Sequence, residues 1–135
     1  MKRYLLDTGI LGHFINKRHG VEDRVRDERR TGARIGTCMP AVGELLAGIE
    51  LSDSRKRNLK AADAALTKLV YWPFNLAAAQ EYGRLYAFLR RKGRMIQRVD
   101  IQIAAIALTV GRCTIVTTDS DFKAIPGLRV ENWAE

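Results

Sequence analysis

The chain has 135 residues, 47% hydrophobic and 28% charged, and its 23 Lys and Arg outnumber 15 Asp and Glu for a net charge of +8. This size suits one domain, 1–135, with a real core. No stretch reaches the roughly 18 uninterrupted apolar residues of a membrane helix, and two distant cysteines, Cys38 and Cys113, outside any CxxC or Cys/His cluster, argue for buried free thiols rather than a zinc site.

The first apolar run, 4–6, is short and bounded and predicts a buried strand. It lacks the longer apolar core and the small-residue cleavage site of a signal peptide, so the expected location is the cytoplasm. Residues 8–16 predict a short helix with Ile10, Leu11, Phe14 and Ile15 on one side. His13 is expected on that helix face and His19 in a basic loop, without a partner at ligand spacing. The charged segment 20–31 predicts a helix ending at Gly32, and residues 33–37 a strand. Pro40 fits the first turn of the next helix, whose stripe is Val42, Leu45, Leu46 and Ile49.

Ser52 or Ser54 is the expected cap of a helix bearing Leu59, Ala62, Leu66 and Leu69 at helical spacing. A short strand at 70–72 closes at Pro73. Asn75 caps a long helix through Lys92, and Gly93 ends it after three cations, as the helix dipole favours. Residues 100–110 are apolar nearly all round and predict a central buried helix ended by Gly111. Strands are expected at 114–118 and 128–131. Strands alternating with helices predict an α/β fold, a mainly parallel central sheet with helices on both faces.

Leu-Leu-Asp-Thr-Gly at 5–9 is also the pattern of the catalytic loop in dimeric aspartic proteases. Those enzymes are almost entirely β, whereas helix patterns dominate here, so Asp7 needs another role. In open α/β sheets, sites form at the carboxyl ends of parallel strands. Asp7 and Asp119 each follow a predicted strand directly. Asp100 opens an otherwise apolar helix, either as a cap favoured by the dipole or as a site acid. Glu44 sits one turn into its helix beside small residues, Pro40, Ala47 and Gly48, which leave a carboxylate room to reach a metal or water; a plain first-turn acid is the alternative.

Clustered carboxylates repel one another unless a cation joins them. Oxygen-only ligands suit a hard divalent ion, Mg²⁺ or Mn²⁺. The basic residues fall in three groups: 17–30, with Lys17, Arg18, Arg24, Arg26, Arg29 and Arg30; 55–60, with Arg55, Lys56, Arg57 and Lys60; and 90–98, with Arg90, Arg91, Lys92, Arg94 and Arg98. They attract a polyanion such as nucleic acid, or simply keep the surface solvated. Basic surface around an acidic pocket fits phosphodiester hydrolysis.

Four stretches, "YLLDTGIL" with Asp7, "PAVGELLAGI" with Glu44, "VDIQIAAIAL" with Asp100, and "IVTTDSDFKAIPGLRVENW" at 115–133, resemble PIN-domain proteins, specifically VapC-like toxin ribonucleases of type II toxin–antitoxin pairs. The resemblance spans nearly the whole chain. It implies a three-layer α/β/α PIN-like fold and a Mg²⁺- or Mn²⁺-dependent endoribonuclease. Asp7 and Asp100 would be the main metal-contacting acids. Glu44 would be a ligand or orient the attacking water, and Asp119 would be the fourth acid. Thr8 and Thr117 would hold carboxylates or water in place. Asp121 would assist Asp119 or start a helix, and Asn132 and Trp133 would close the fold. Implied partners are an RNA substrate, a VapB-like antitoxin lying along the active-site groove, and a second copy in a homodimer.

Two other readings remain from the residues alone: a non-catalytic module, and an acid-cluster α/β protein acting on phosphate, such as a phosphatase or a receiver domain. A non-catalytic nucleic-acid-binding or regulatory module would keep the basic surface, yet would gain from losing the four acids. An aspartate-nucleophile phosphatase would need a second Asp two residues after Asp7, where Gly9 stands. A receiver domain would need a Lys after a late strand, and Lys123 lies too far along.

Overall fold

Five strands and six α-helices alternate among the described residues, 1–134, of a computed structural model. In chain order these are β1 (Arg3–Leu6), α1 (Thr8–Ile15), α2 (Val21–Arg30), β2 (Arg34–Cys38), α3 (Met39–Glu50) and α4 (Arg55–Leu66). Then come β3 (Val70–Trp72), α5 (Leu76–Arg91), α6 (Arg98–Val110), β4 (Cys113–Val116) and β5 (Arg129–Glu131). A turn of 3-10 helix, Ser120–Ala124, separates the last two strands.

The strands form one parallel sheet in the order β3-β2-β1-β4-β5. Side chains alternate across a strand, and β1 divides accordingly. Tyr4 and Leu6 face a core shared with Ile10, Phe14, Val21, Val25 and Ala62, from α1, α2 and α4. Leu5 faces the opposite core, built from Leu85 and Leu89 of α5, Ile103 and Ile106 of α6, and Ile115. Helices on both faces make the expected three layers. Strands covered on both sides explain why β1 and β4 read as apolar runs rather than alternating ones.

Two contacts fix the sheet at close range. Gly36 has Val70 O and the Trp72 ring where a Cβ would stand, the ring at 2.8 Å, so β2 has no room there for a side chain. Trp133, 5% exposed, packs against Tyr4 in a tilted ring contact with centroids 4.8 Å apart. The C-terminal segment thereby seals the sheet, as expected for Trp133. Asn132 plays a smaller part, its Oδ1 accepting the Ala134 N–H.

Several element ends differ from expectation. Neither serine caps α4: Ser54 occupies the cap position without a side-chain bond, and the Ser52 hydroxyl donates to Ile49 O at 2.7 Å. α6 begins at Arg98, two residues early, because Gln97 is already extended and the first turn needs no apolar residue. β4 stops at Val116, although Thr117 and Thr118 continue its β-branched run. There the chain turns, because Thr117 Oγ1 accepts the Asp119 N–H at 2.9 Å and offers the backbone a local alternative to the ladder.

The chain runs outward from β1 through β2 to β3, then returns to lay β4 on the other flank of β1. The carboxyl ends of β1 and β4 are therefore the switch point of the sheet, the position at which α/β folds place their sites. Among the described residues, no helix is long and apolar enough to cross a membrane.

Candidate active site

Asp7 stands at this switch point, immediately after β1 and 8% exposed. Its N–H donates to Val116 O at 3.1 Å, which ties it to the end of β4. Its carboxylate also serves the fold, because Oδ1 accepts the Ile10 N–H at 2.9 Å and caps α1. Asp is favoured at such a cap because its oxygen satisfies an orphan amide of the first turn. One carboxylate oxygen is thus already engaged. Beneath it, Thr37, fully buried on β2, donates its hydroxyl to Leu6 O at 2.8 Å and pins β2 to the last residue of β1.

Burial raises the Asp7 carboxyl above its usual range, and the charges of Asp119 and Glu44 raise it further. The Thr117 side chain and the Ile10 N–H oppose this by hydrogen bonding to the charged form. Asp100 lies in the first turn of α6 rather than at its cap. Burial pushes its carboxyl up to about 6, followed by the fields of Glu44, Asp119, Asp7 and Asp121. These four acids come from the end of β1, the segment after β4 and the second turn of α3, yet each acts on Asp100. The fold therefore brings the four predicted acids within range of one another's charge near one edge of the sheet. Such mutual repulsion is costly in isolation and is relieved by a cation.

Asp119 is exposed and caps the 3-10 turn, its Oδ1 accepting the Asp121 N–H at 2.9 Å. Asp121 lies 3.7 Å from the guanidinium of Arg94, which reaches over from the loop between α5 and α6. Thr117, 2% exposed, links Asp7 to the Asp119 backbone. Thr8 Oγ1 is a buried polar atom without a protein partner, beside Asp7 in sequence. An orphaned buried hydroxyl is rare in a folded chain.

Residues 4–128 match the family model described as PIN domain. The chain belongs to the PIN-domain family. It is 31% identical to a Haemophilus influenzae protein named Ribonuclease VapC2, over 98% of this chain and 99% of the relative. It is 29% identical to the tRNA(fMet)-specific endonuclease VapC of Shigella flexneri, over 99% of this chain and all of that one. Among solved structures it resembles a chain of VapBC2 from Rickettsia felis bound to a fragment of promoter DNA, with a TM-score of 0.88, 29% identity, and coverage of 97% and 98% of the two chains.

PIN-domain ribonucleases generally depend on a divalent metal. The donors of this PIN domain fit one: oxygen ligands alone, two carboxylates destabilised by burial and mutual charge, and the orphaned Thr8 hydroxyl nearby. They do not form a closed cage. Among the described residues, no three His, Cys, Asp or Glu side chains converge closely enough to hold an ion by themselves. This agrees with Mg²⁺ chemistry, in which one or two carboxylates bind and water or substrate phosphate completes the shell.

Sequence reasoning missed three features of this PIN domain. The capping duty of Asp7 was legible, since Asp before a helical run is a cap signature. Thr37 had a weaker signal, a polar residue inside a buried strand. The edge-to-face contact of the His13 and His19 rings, centroids 4.5 Å apart, had none, because it arises where the chain turns through a left-handed His19. Cys38 and Cys113 are buried free thiols as expected, pushed by burial up to about 11 and about 12.

Proposed function

We propose that this chain, acting as a single PIN-like domain, is the toxin ribonuclease of a VapBC-type pair. Its substrate is RNA, cut internally with Mg²⁺ or Mn²⁺. Its partners are a VapB-like antitoxin and a second copy of itself, and it works in the cytoplasm. The observation that supports this reading best is the placement of the acids at the β1/β4 edge: Asp7 is tied to the end of β4 through Val116 O, Asp119 and Asp121 follow β4, and with Glu44 they lie near enough for their charges to act on Asp100. A binding module would place cations there, because RNA phosphates and bare carboxylates repel.

Asp7 and Asp100 are the residues that would hold the ion, with Asp119 and Glu44 completing the acidic wall. When bound, the divalent ion supplies Lewis acidity toward the phosphodiester and lowers the pKa of water. The chain's own residues do the rest. Thr117 and the Ile10 N–H favour the charged form of Asp7 and so oppose the upward push of burial. Glu44, half-buried among small neighbours, has the freedom to orient a water for attack on phosphorus. Thr8 is placed to hold water or a phosphate oxygen.

Inducing the chain without its neighbouring antitoxin gene tests the biological half of the proposal. Growth should arrest, and RNA recovered after induction should carry new, recurrent ends. Harmless accumulation of soluble, cleavage-competent protein would contradict the toxin reading while leaving the nuclease reading intact.

A further inference from the structure

The three basic groups are not equivalent in the folded chain. On α2 the arginines are occupied locally: Arg24 with Glu28 and Glu131, Arg26 with Asp23 and Asp27, and Arg30 with Asp27. Arg55 is paired with Glu50. At the corner between α5 and α6 the balance differs. A cleft of about 220 Å³ opens there, with Arg90, Arg94 and Arg98 around it and Tyr86, Met95 and Ile96 on its walls. Among the described residues, no carboxylate lines the cleft, and neither Arg90 nor Arg98 lies within ion-pair distance of one. Arg90 is nevertheless held in place, its Nη1 donating to the Tyr86 hydroxyl at 3.1 Å and its guanidinium lying 5.5 Å from that ring. Met95, beside them, is 81% exposed.

This cleft borders the acids. The first turn of α6 presents Arg98 and Ile101 to it, while Asp100 of the same turn faces the acidic cluster. Arg94 spans the two by its ion pair with Asp121.

We propose that the α5–α6 cleft is a subsite for a nucleotide flanking the scissile bond of an RNA, with Arg90 and Arg98 on backbone phosphate and Met95 and Ile96 against the base. The proposal rests on the ribonuclease reading above and adds where the strand lies. Guanidinium forks suit phosphate oxygens. Apolar walls suit a base face without selecting its identity. Arg94 trades the Asp121 carboxylate for phosphate when RNA enters, which makes it a positioning residue between subsite and acids.

The test uses the full chain and a fluorescent single-stranded RNA of mixed sequence. Binding is followed by anisotropy in EDTA across a salt series, and cleavage with Mn²⁺ is followed on the same RNA. Arg90→Ala and Arg98→Ala should each lower the slope of log affinity against log salt by about 0.7, the value for one phosphate contact on a single strand. Each should raise KM about tenfold with kcat retained. Arg90→Lys and Arg98→Lys should keep the salt slope, and Met95→Ala should weaken binding without changing it. Wild-type slope and KM in the alanine variants, with the wild type binding and cutting RNA, would overturn the subsite and leave the ribonuclease reading standing. A loss confined to antitoxin binding would overturn it in favour of a protein-docking cleft. Loss of kcat together with slope would overturn it as a structural effect. A wild type that neither binds nor cuts would remove the ribonuclease reading and the subsite together.

Discussion

Asp7 carries two duties that a single substitution can separate. Its Oδ1 caps α1 through Ile10, and its charge belongs to the acidic cleft. Asn caps as well as Asp but carries no charge, whereas Ala does neither. Asp7→Asn should therefore abolish RNA cleavage with little change in stability. Asp7→Ala should abolish cleavage and also cost about 1 kcal/mol, read from chemical denaturation of the two variants side by side. Equal stability of the two would contradict the capping role.

Asp100 makes the stability of the metal-free chain depend on pH. Its folded pKa, about 6, lies above the ordinary value of 3.8, so between those values the folded state holds more protons than the unfolded state. Stability of the metal-free chain therefore falls as pH rises through this window. Asp100→Asn should stabilise the metal-free chain at neutral pH by about 1 kcal/mol, after discounting for the half of the group that meets solvent. It should also abolish cleavage. At low metal concentration, wild-type cleavage should decline as pH falls through about 6, and added metal should push that limb lower, because ion and proton compete for one carboxylate. A limb indifferent to metal concentration would remove Asp100 from the ion's contacts.

At the scale of elements, what the sequence reveals depends on how local the signal is. β1 was legible as a short bounded apolar run, 33–37 and 70–72 as strand-like segments within a residue of β2 and β3, and α5 was legible from Asn75 to Gly93 because both ends carry cap residues. The end of β4 was not. Its β-branched run continues through Thr118, and only the bond from the Asp119 N–H to the Thr117 hydroxyl shows where the chain leaves the sheet. The serine cap of α4 failed for a similar reason, since Ser52 bonds backward to Ile49 instead. Close approach between strands was equally invisible: Gly36 reads as an ordinary strand glycine until Val70 and Trp72 are seen against it. Gly36→Ala should cost at least about 2 kcal/mol, the scale of overpacking in a tight core, measured by thermal or denaturant unfolding. Retained stability would mean that β3 gives way easily. Thr37→Val, which removes the bond to Leu6 O, should cost about 1 kcal/mol and lower cleavage by loosening the base of Asp7.

For the whole molecule, the positions of the four candidate acids were legible in sequence because each sits beside a strand end or in the first turns of a helix, and an α/β sheet gathers such positions at one edge. Their convergence follows from the strand order, with β4 returning to the flank of β1. The coupling of that edge to the basic surface was not legible. Arg94 and Asp121 are 27 residues apart and meet only because the α5–α6 loop folds over the 3-10 turn. The net charge of +8 likewise hid its own distribution: the α2 group is largely neutralised by neighbours, and the α5–α6 group is not. Divalent metal should also raise the thermal midpoint of the wild type and not that of Asp100→Asn, since an ion that binds only the folded state stabilises it by mass action.

If the acids at the β1/β4 edge hold divalent metal for RNA hydrolysis, as proposed above, cleavage of RNA by the purified chain must depend on that metal. Excess EDTA should abolish cleavage, and Mg²⁺ or Mn²⁺ added back should restore it in the wild type but not in Asp100→Asn. Full activity in EDTA, or restoration in the Asp100→Asn variant equal to the wild type, would contradict it.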